Sequence, residues 1–429
     1  MLVKHYANER LARLARDRGM PDEYVHDLRV VSGVLPFKVN EYVADELIDW
    51  SAAPDDPIFR LTFPHRDMLP PPVFDRMAAL LDAGAPRAEL REAATAARRD
   101  LNPHPGDQLE ANVPTLDGRR LDGLQHKYAE TVLVFPSQGQ TCHSYCGYCF
   151  RWAQFVSQEE LRQALRDPAD LTGYLSGHPE VTDVLFTGGD PMIMRTEVIR
   201  RWVEPLLAGT PSVRTLRFGT KALSYWPQRF TTGPDADDLL RLLEQCVAQG
   251  RHVALMAHFS HPRELETDQV REAIARIRAT GAEIRAQAPL VAHVNDDPAA
   301  WSRMWQLQVE LGVIPYYMFM ERDTGANSYF GLPLVRALDI YREAVRGVSG
   351  LARTARGPVM SAAPGKVMVH GTTEVAGEKA FVLGFLQARR PEWVGRPFFA
   401  AYDEHVQWYD ELKPVSFGRT LPAYAEEQW

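Results

Sequence analysis

The sequence predicts an α/β fold: six βα units in series, their parallel strands curled into a partial, TIM-like (β/α)6 barrel, with a helical region before it and a hairpin and tail after it. Three observations lead there. From residue 131 onward, apolar or β-branched runs alternate with segments of helical period. The ends of those runs are polar, at the positions where a parallel barrel gathers its chemistry. Three of only four cysteines fall in one short loop just after the first run.

The elements follow in order. Residues 1–125 read as helical and irregular, with amphipathic stretches at 73–81 and 88–98 separated by proline-containing turns such as Leu69-Pro-Pro-Pro72; their expected role is to cover the core. Strands are expected at 131–136, 181–187, 213–220, 253–259, 283–290 and 314–320, and helices near 158–167, 194–208, 236–249, 264–280, 298–311 and 335–346. Parallel strands need crossovers, and a series of right-handed helical crossovers curls the sheet into residues 126–350. In 351–429, Ala362-Ala-Pro-Gly-Lys366 leads into strand-like pieces at 367–369 and 380–386, joined by a turn near 371–377. The aromatic-rich stretch 398–408 reads as a plug over the open end of the barrel or an oligomer contact.

With 429 residues, 45% of them hydrophobic, the chain can form one large barrel with flanking segments and requires no second full domain. A net charge of −8, with both signs interspersed, offers no basic field for nucleic acid. The N-terminus lacks an apolar signal core, and no run approaches the roughly 18 apolar residues of a membrane span. A cytoplasmic location, where thiols stay reduced, is the expectation.

The cysteines lie in Thr141-Cys-His-Ser-Tyr-Cys-Gly-Tyr-Cys-Phe-Arg151. Thiolates of Cys142, Cys146 and Cys149 can hold three corners of a [4Fe–4S] cube, because a short loop brings each sulfur to a different iron. The fourth iron then stays open to chelate the amino and carboxylate groups of S-adenosylmethionine (SAM). An electron from the cluster breaks the sulfonium to give a 5′-deoxyadenosyl radical. The C-x3-C-x2-C spacing is the radical-SAM signature. Zinc would require four tetrahedral ligands, and His143 is too close to Cys142 to complete such a site without strain. Cys246 lies in a helical run and reads as a small buried apolar residue.

The strand ends come next. Strand two ends in Thr187-Gly-Gly-Asp190, whose glycines let the backbone approach a ligand, although such a pair alone is usually only a tight turn. Strand three ends in Arg217-Phe-Gly-Thr-Lys221, strand four in His258-Phe-Ser-His261, strand five carries Gln287, and strand six leads into Glu321-Arg-Asp323. Five polar ends around the cysteine loop are best explained as a cavity for cofactor and substrate.

Across residues 100–366 the chain resembles the lysine 2,3-aminomutase family of radical-SAM enzymes. The likeness rests on His126-Lys-Tyr128, the cysteine loop with Arg151, Thr187-Gly-Gly-Asp190, Pro227-Gln-Arg229, His258-Phe-Ser-His261, Val294-Asn-Asp296, Pro315-Tyr-Tyr317 and Ala363-Pro-Gly-Lys366. The resemblance implies pyridoxal phosphate (PLP) on Lys366 and migration of an amino group between adjacent carbons of an amino-acid substrate. It implies Arg151 as the clamp for the substrate α-carboxylate, a role suited to a planar guanidinium; the plainer reading is a salt bridge beside the cluster. Tyr148 falls where an aromatic packs near the adenine, Gly188, Gly189 and Asp190 would line the SAM methionine, and His258 and Gln287 lie near the same cofactor. A one-electron donor such as a flavodoxin or ferredoxin, and a homo-oligomer, complete the implied partners.

Four departures stand out. Lys366 follows Gly365 directly, without the family's glycine run. The two arginines that hold the PLP phosphate fall on Lys127 and Thr131, so one contact loses its fork geometry and the other its charge. The two aspartates that receive the distal ammonium of lysine fall on Arg322 and Ala362, and an arginine ahead of the third cysteine is Gly147. An arginine there would repel an ammonium, so a glutamate-like or neutral amino acid is the expected substrate; Glu321 and Asp323 flank it, and a slip of one residue reverses the argument. Two other readings remain open: a radical-SAM barrel without PLP, with Lys366 merely solvated, performing dehydrogenation, epimerisation or another rearrangement; and a non-catalytic metal-binding barrel.

Overall fold

The computed structural model describes residues 4–103, 112–156 and 163–418. Its centre is one eleven-stranded sheet in simple sequential order. We number its strands β1 (Leu124–Tyr128), β2 (Thr131–Val134), β3 (Asp183–Phe186), β4 (Thr215–Thr220), β5 (His252–His258), β6 (Glu283–Leu290), β7 (Ile314–Met320), β8 (Arg356–Ala362), β9 (Gly365–Val375), β10 (Glu378–Ala388) and β11 (Pro397–Ala401). Strands β2 to β8 run parallel, β1 pairs antiparallel at one edge, and β9 to β11 extend the other edge as an antiparallel meander. Among the described residues no pairing joins β1 to β11, so the barrel is partial.

Helices cross between the parallel strands: α6 (Pro168–Ser176), α7 (Thr196–Gly209), α8 (Ala236–Ala248), α9 (Asp268–Ala279), α10 (Pro298–Glu310) and α11 (Leu334–Arg346). Their starts follow from local chemistry. The Asp167 and Asp297 carboxylates accept from Ala169 N and Ala299 N ahead of prolines that lack a donor to lose, and Thr267 Oγ1 accepts from Val270 N. Trp202, Trp301 and Trp305 project from α7 and α10 into full burial; truncating one to alanine should cost roughly 3–5 kcal/mol.

Strand alternation divides the sheet into two faces. Leu216 and Phe218 of β4 are buried under the helices, whereas Arg217 and Gly219 fall on the opposite, lumenal face. Among the described residues five α-helices precede the barrel: α1 (Glu9–Asp17), α2 (Asp22–Val34), α3 (Pro57–Thr62), α4 (Pro71–Asp82) and α5 (Arg87–Asp100). Among the described residues no helix is long and apolar enough to cross a membrane.

Several expectations shift. The helix after strand one is 168–176, not 158–167: residues 163–167 are extended, with Leu165 bridging Pro136, and 157–162 lie outside the described residues. The reason is the Asp167–Pro168 start signal, which outweighs the weaker periodicity upstream. The hairpin is longer than expected, its turn confined to Ala376 and Gly377, both at positive φ (53° and 82°), the geometry a two-residue hairpin turn requires. Strand β8, absent from the sequence reading, adds a seventh parallel strand, and the aromatic tail splits. Residues 397–401 form an edge strand, while Trp408 is buried beside Arg322 past the end of β7.

Candidate active site

The cysteine loop leaves the C-terminal end of β2 and is pinned from the N-terminal region. Lys38 O accepts from Tyr145 N (2.8 Å) and Ser144 Oγ (3.0 Å), and Leu61 O accepts from Gly147 N (2.7 Å). A Cβ at Gly147 would lie 2.9 Å from the Phe330 ring, so this departure from the family pattern fits the packing of its neighbours. All three thiols are pushed up: Cys142 well above its ordinary range by burial and the nearby Asp190, Cys146 to about 12 by burial, and Cys149 by burial. Among the described residues no three His, Cys, Asp or Glu side chains are grouped to hold a single metal ion. Cys246 is buried on α8, in another layer of the molecule.

Gly188 and Gly189 pack on the backbone that enters this loop. A Cβ at Gly189 would come within 2.4 Å of Thr141 O, and Gly189 N and Asp190 N donate to Gly139 O (3.0 Å) and Thr141 O (2.9 Å). The Asp190 carboxylate is engaged within the protein, accepting from Thr220 Oγ1, Lys221 N and Met192 N and meeting His143 Nε2 at 3.1 Å. Burial opposes its ionisation, but His143 and the other donors outweigh that and hold it below the usual carboxylate range. Its role here is to lock the loop to the ends of β3 and β4.

Past β5 the polar residues form a connected set. Tyr148 OH lies 3.0 Å from Ser260 Oγ, and Lys221 Nζ donates to Glu264 Oε2 (2.9 Å) and Ser260 Oγ (3.3 Å). Glu264 is fully buried and its Oε1 has no partner among the described residues. Burial raises its carboxyl while Lys221 opposes the shift. Gln287 Nε2 donates to His258 Nε2 at 2.9 Å, which leaves the imidazole proton on Nδ1; burial, then Lys221, lowers this histidine to about 4. Sequence reading missed Glu264. It opens the helix expected at 264–280, whereas the helix begins at Asp268 and Glu264 belongs to a preceding turn.

Across the lumen, Arg217 Nε donates to Asp183 Oδ1 (2.8 Å), and Thr131 Oγ1 donates to Asp183 Oδ2 (3.3 Å). Thr131 therefore lies beside a carboxylate, an unfavourable neighbour for the phosphate that the resemblance assigned to it. Lys366 Nζ donates to Gln387 Oε1 (2.7 Å) and sits 5.0 and 5.7 Å from the Tyr317 and Tyr128 ring centroids. Burial, reinforced by Arg217, lowers its ammonium to about 8. Lys127 Nζ donates to Ala362 O, the residue at the second family aspartate position.

Arg151 is buried, 4.3 Å from the Phe135 ring centroid, and donates through Nη2 to Gln154 Oε1 (2.8 Å). Its Nε has no partner among the described residues, and burial brings the guanidinium down to about 10. Arg322 lies 5.5 Å from the Phe150 ring and 5.7 Å from that of Trp408, and Phe150 is 42% exposed, so Arg322 occupies the rim. Glu321 continues the lumenal alternation of Tyr317 and Phe319. It is buried, its Oε2 accepts from Asn327 Nδ2 (3.0 Å) and its Oε1 has no partner among the described residues. At this strand end Glu321, the neighbour of Arg322, is the buried carboxyl.

A cavity of about 1150 Å³ lies elsewhere, between the N-terminal helices and the outer side of the cysteine loop, lined by Lys38, Arg98, Tyr145 and Phe155 among others. We place the site in the lumen, because the unsatisfied buried polar groups and the shifted amine converge there.

No protein-family model matches the chain. Among curated proteins it is similar to "Putative L-lysine 2,3-aminomutase" of Aquifex aeolicus, 31% identical over 394 residues that cover 91% of each chain. It is also similar to L-lysine 2,3-aminomutase of Escherichia coli, 27% identical over 229 residues, 53% of this chain and 63% of that one. A radical SAM methyltransferase from Sphaerobacter thermophilus superposes over 65% of this chain and 91% of its own at 16% identity, with a TM-score of 0.38 that carries no argument.

Proposed function

The chain belongs to the lysine 2,3-aminomutase family of radical-SAM enzymes, and from that membership we propose that it moves the amino group of a non-lysine amino acid within the lumen of the partial barrel, using a [4Fe–4S] cluster, SAM and PLP. The observation that carries the reading is Lys366: an amine lowered to about 8, walled by Tyr128 and Tyr317 and held by Gln387. A lysine that reacts with a carbonyl must be neutral, and desolvation between aromatic rings makes it so near physiological pH.

The residues present fit the cofactors. Three half-buried thiols oppose ionisation on their own and become thiolates only beside a strongly positive partner, and three ligands would leave a fourth iron open. Glu264, with one carboxylate oxygen unpartnered, and the Tyr148, Ser260 and Lys221 set beside it offer donors and acceptors for SAM; His258, Gln287 and the backbone of Gly188 and Gly189 adjoin them. When bound, the cluster and SAM supply a radical that takes a hydrogen atom, and PLP supplies a carbonyl for the substrate amine and a π-system that stabilises the rearranging radical.

The chain's own side chains do the rest. Arg151 binds the α-carboxylate through the donors that its buried fork leaves available, oriented by Gln154 and the Phe135 ring. The rings of Tyr128 and Tyr317 exclude water around Lys366 Nζ, which gives up its proton near pH 8. At the substrate's far end Glu321 is the lumenal group, and burial, with Asp323 nearby, holds its carboxyl well above the usual carboxylate range. With Ala362 at the other position there is no carboxylate pair to receive an ammonium, so a neutral distal group fits best; Arg322 at the rim is the candidate reader of an anionic one.

The test is spectroscopic and chemical. Anaerobically purified protein supplied with PLP should gain absorbance at roughly 410–430 nm, and release 5′-deoxyadenosine from SAM on reduction. Absence of the band, or its persistence in Lys366→Ala, overturns the aminomutase reading. A panel of amino acids followed for β-amino products then names the substrate.

A further inference from the structure

The sequence left the PLP phosphate without its arginine fork, since the two implied positions are Lys127 and Thr131, and Thr131 is turned to Asp183. The C-terminal hairpin supplies another cation. Strands β9 and β10 pair Gly365 with Ala388 and Lys366 with Gln387, which carries Arg389 back alongside the turn that precedes Lys366. Arg389 N donates to Pro364 O (2.9 Å) and its Nε donates to Ala363 O (2.8 Å), one residue from the carbonyl that Lys127 Nζ engages.

Both cations adjoin Tyr128. Lys127 Nζ lies 5.4 Å from the Tyr128 ring centroid and Lys366 Nζ lies 5.7 Å from the same ring. Arg389 is near enough to act electrostatically on the Tyr128 phenol, opposing the upward push of burial. The Tyr128 side chain is 7% exposed, and its hydroxyl has no hydrogen-bond partner among the described residues. A buried phenol O–H with no hydrogen-bond partner among the described residues, with Lys127 beside its ring and Arg389 within electrostatic reach, matches a phosphate monoester, which offers acceptor oxygens and two negative charges. Lys366 Nζ, beside the same ring, would take the aldehyde end of the same small molecule.

We propose that Lys127, Arg389 and the Tyr128 hydroxyl form the phosphate pocket of the PLP site, with Arg389 replacing, from the opposite end of the chain, the fork lost at 127 and 131. The proposal rests on the reading of Lys366 as the covalent anchor. Arg389 thereby becomes a cofactor-binding residue, and the short Ala-Pro-Gly turn is what lets it reach: with Lys366 directly after Gly365, the turn carbonyls stay within bonding distance of both Lys127 and Arg389.

The experiment compares PLP with pyridoxal, which has the same aldehyde and no phosphate. Binding is followed by the band at roughly 410–430 nm and by borohydride trapping on Lys366, read by mass spectrometry. Arg389→Leu should weaken PLP binding roughly tenfold or more, the scale of one hydrogen bond to a charged group, and leave pyridoxal binding unchanged; Arg389→Lys should recover part of the loss. Inorganic phosphate should compete with PLP but not with pyridoxal in the wild type. If Arg389→Leu binds PLP as the wild type does, the pocket is refuted while the anchor stands. Equal weakening of PLP and pyridoxal means a general disturbance of the turn and also refutes it. Should neither aldehyde be trapped on Lys366 in the wild type, the reading of Lys366 fails, and the pocket with it.

Discussion

His143 Nε2 meets Asp190 Oδ2 at 3.1 Å with both side chains buried, so the residue next to Cys142 is fastened to the loop that closes β3. The same carboxylate holds Thr220 and Lys221 at the end of β4. Asp190 is therefore the hub through which two strand ends fix the cysteine loop.

Asp190→Ala should lose roughly 3 kcal/mol or more of stability, the scale of breaking a buried charged network, and should bind less iron on reconstitution. Urea unfolding and iron analysis check this together. A variant with wild-type stability and full iron would show that the hub is dispensable.

Lys366 should impose a pH dependence on both reactivity and stability. Its ammonium falls from the ordinary lysine range to about 8. Below that value both folded and unfolded chains carry the proton, and the folded chain bears the burial penalty. From about pH 8 to the unfolded lysine value near 10.4 only the unfolded chain stays protonated, so stability from this group rises with pH. Lys366→Met should accordingly be more stable than wild type at pH 7, with the gap closing toward pH 10 in denaturation midpoints. Covalent capture of PLP by the wild type should accelerate with a midpoint near pH 8.

Gly147 and Phe330 should be coupled. With a Cβ at 147 only 2.9 Å from the buried ring, Gly147→Ala should cost roughly 1–3 kcal/mol by overpacking. Phe330→Leu in the same chain should return part of that cost, so a double-mutant cycle should give a coupling near 1 kcal/mol. Additive effects would disprove the contact.

Glu321→Gln should keep or raise stability at pH 7, because burial already disfavours the charged carboxylate. The folded chain retains a proton that the unfolded chain sheds above about pH 4.3, so wild-type stability from this group falls as pH rises past that point and the advantage of the glutamine grows. Thermal melts across pH 4 to 8 test it. If substrate contacts the neutral acid, Glu321→Gln should also preserve KM for a neutral amino acid, whereas Glu321→Leu should raise it.

Much of this was legible because the period of a strand or a helix is written locally. Strands β6 and β7 fall on the expected residues, since β6 alternates polar and apolar residues over its first half and β7 is a continuous apolar run. Strand β8 was hidden by Gly357 and Pro358 near its start, which read as breakers although a proline is tolerated there. The cysteine loop could be read from spacing alone. Glu264, Glu321 and Arg389 could not: their roles depend on burial and cross-strand register, which bring together residues that no window along the chain contains.

The pinning of the cysteine loop by Lys38 O and Leu61 O has a consequence for assembly. Ser144 reaches a carbonyl 106 residues upstream, so closing this contact costs chain entropy that only the finished N-terminal layer repays. The loop thus borrows its shape from the N-terminal layer: a chain in which Lys38 and Leu61 are out of place lacks the two carbonyls that hold it.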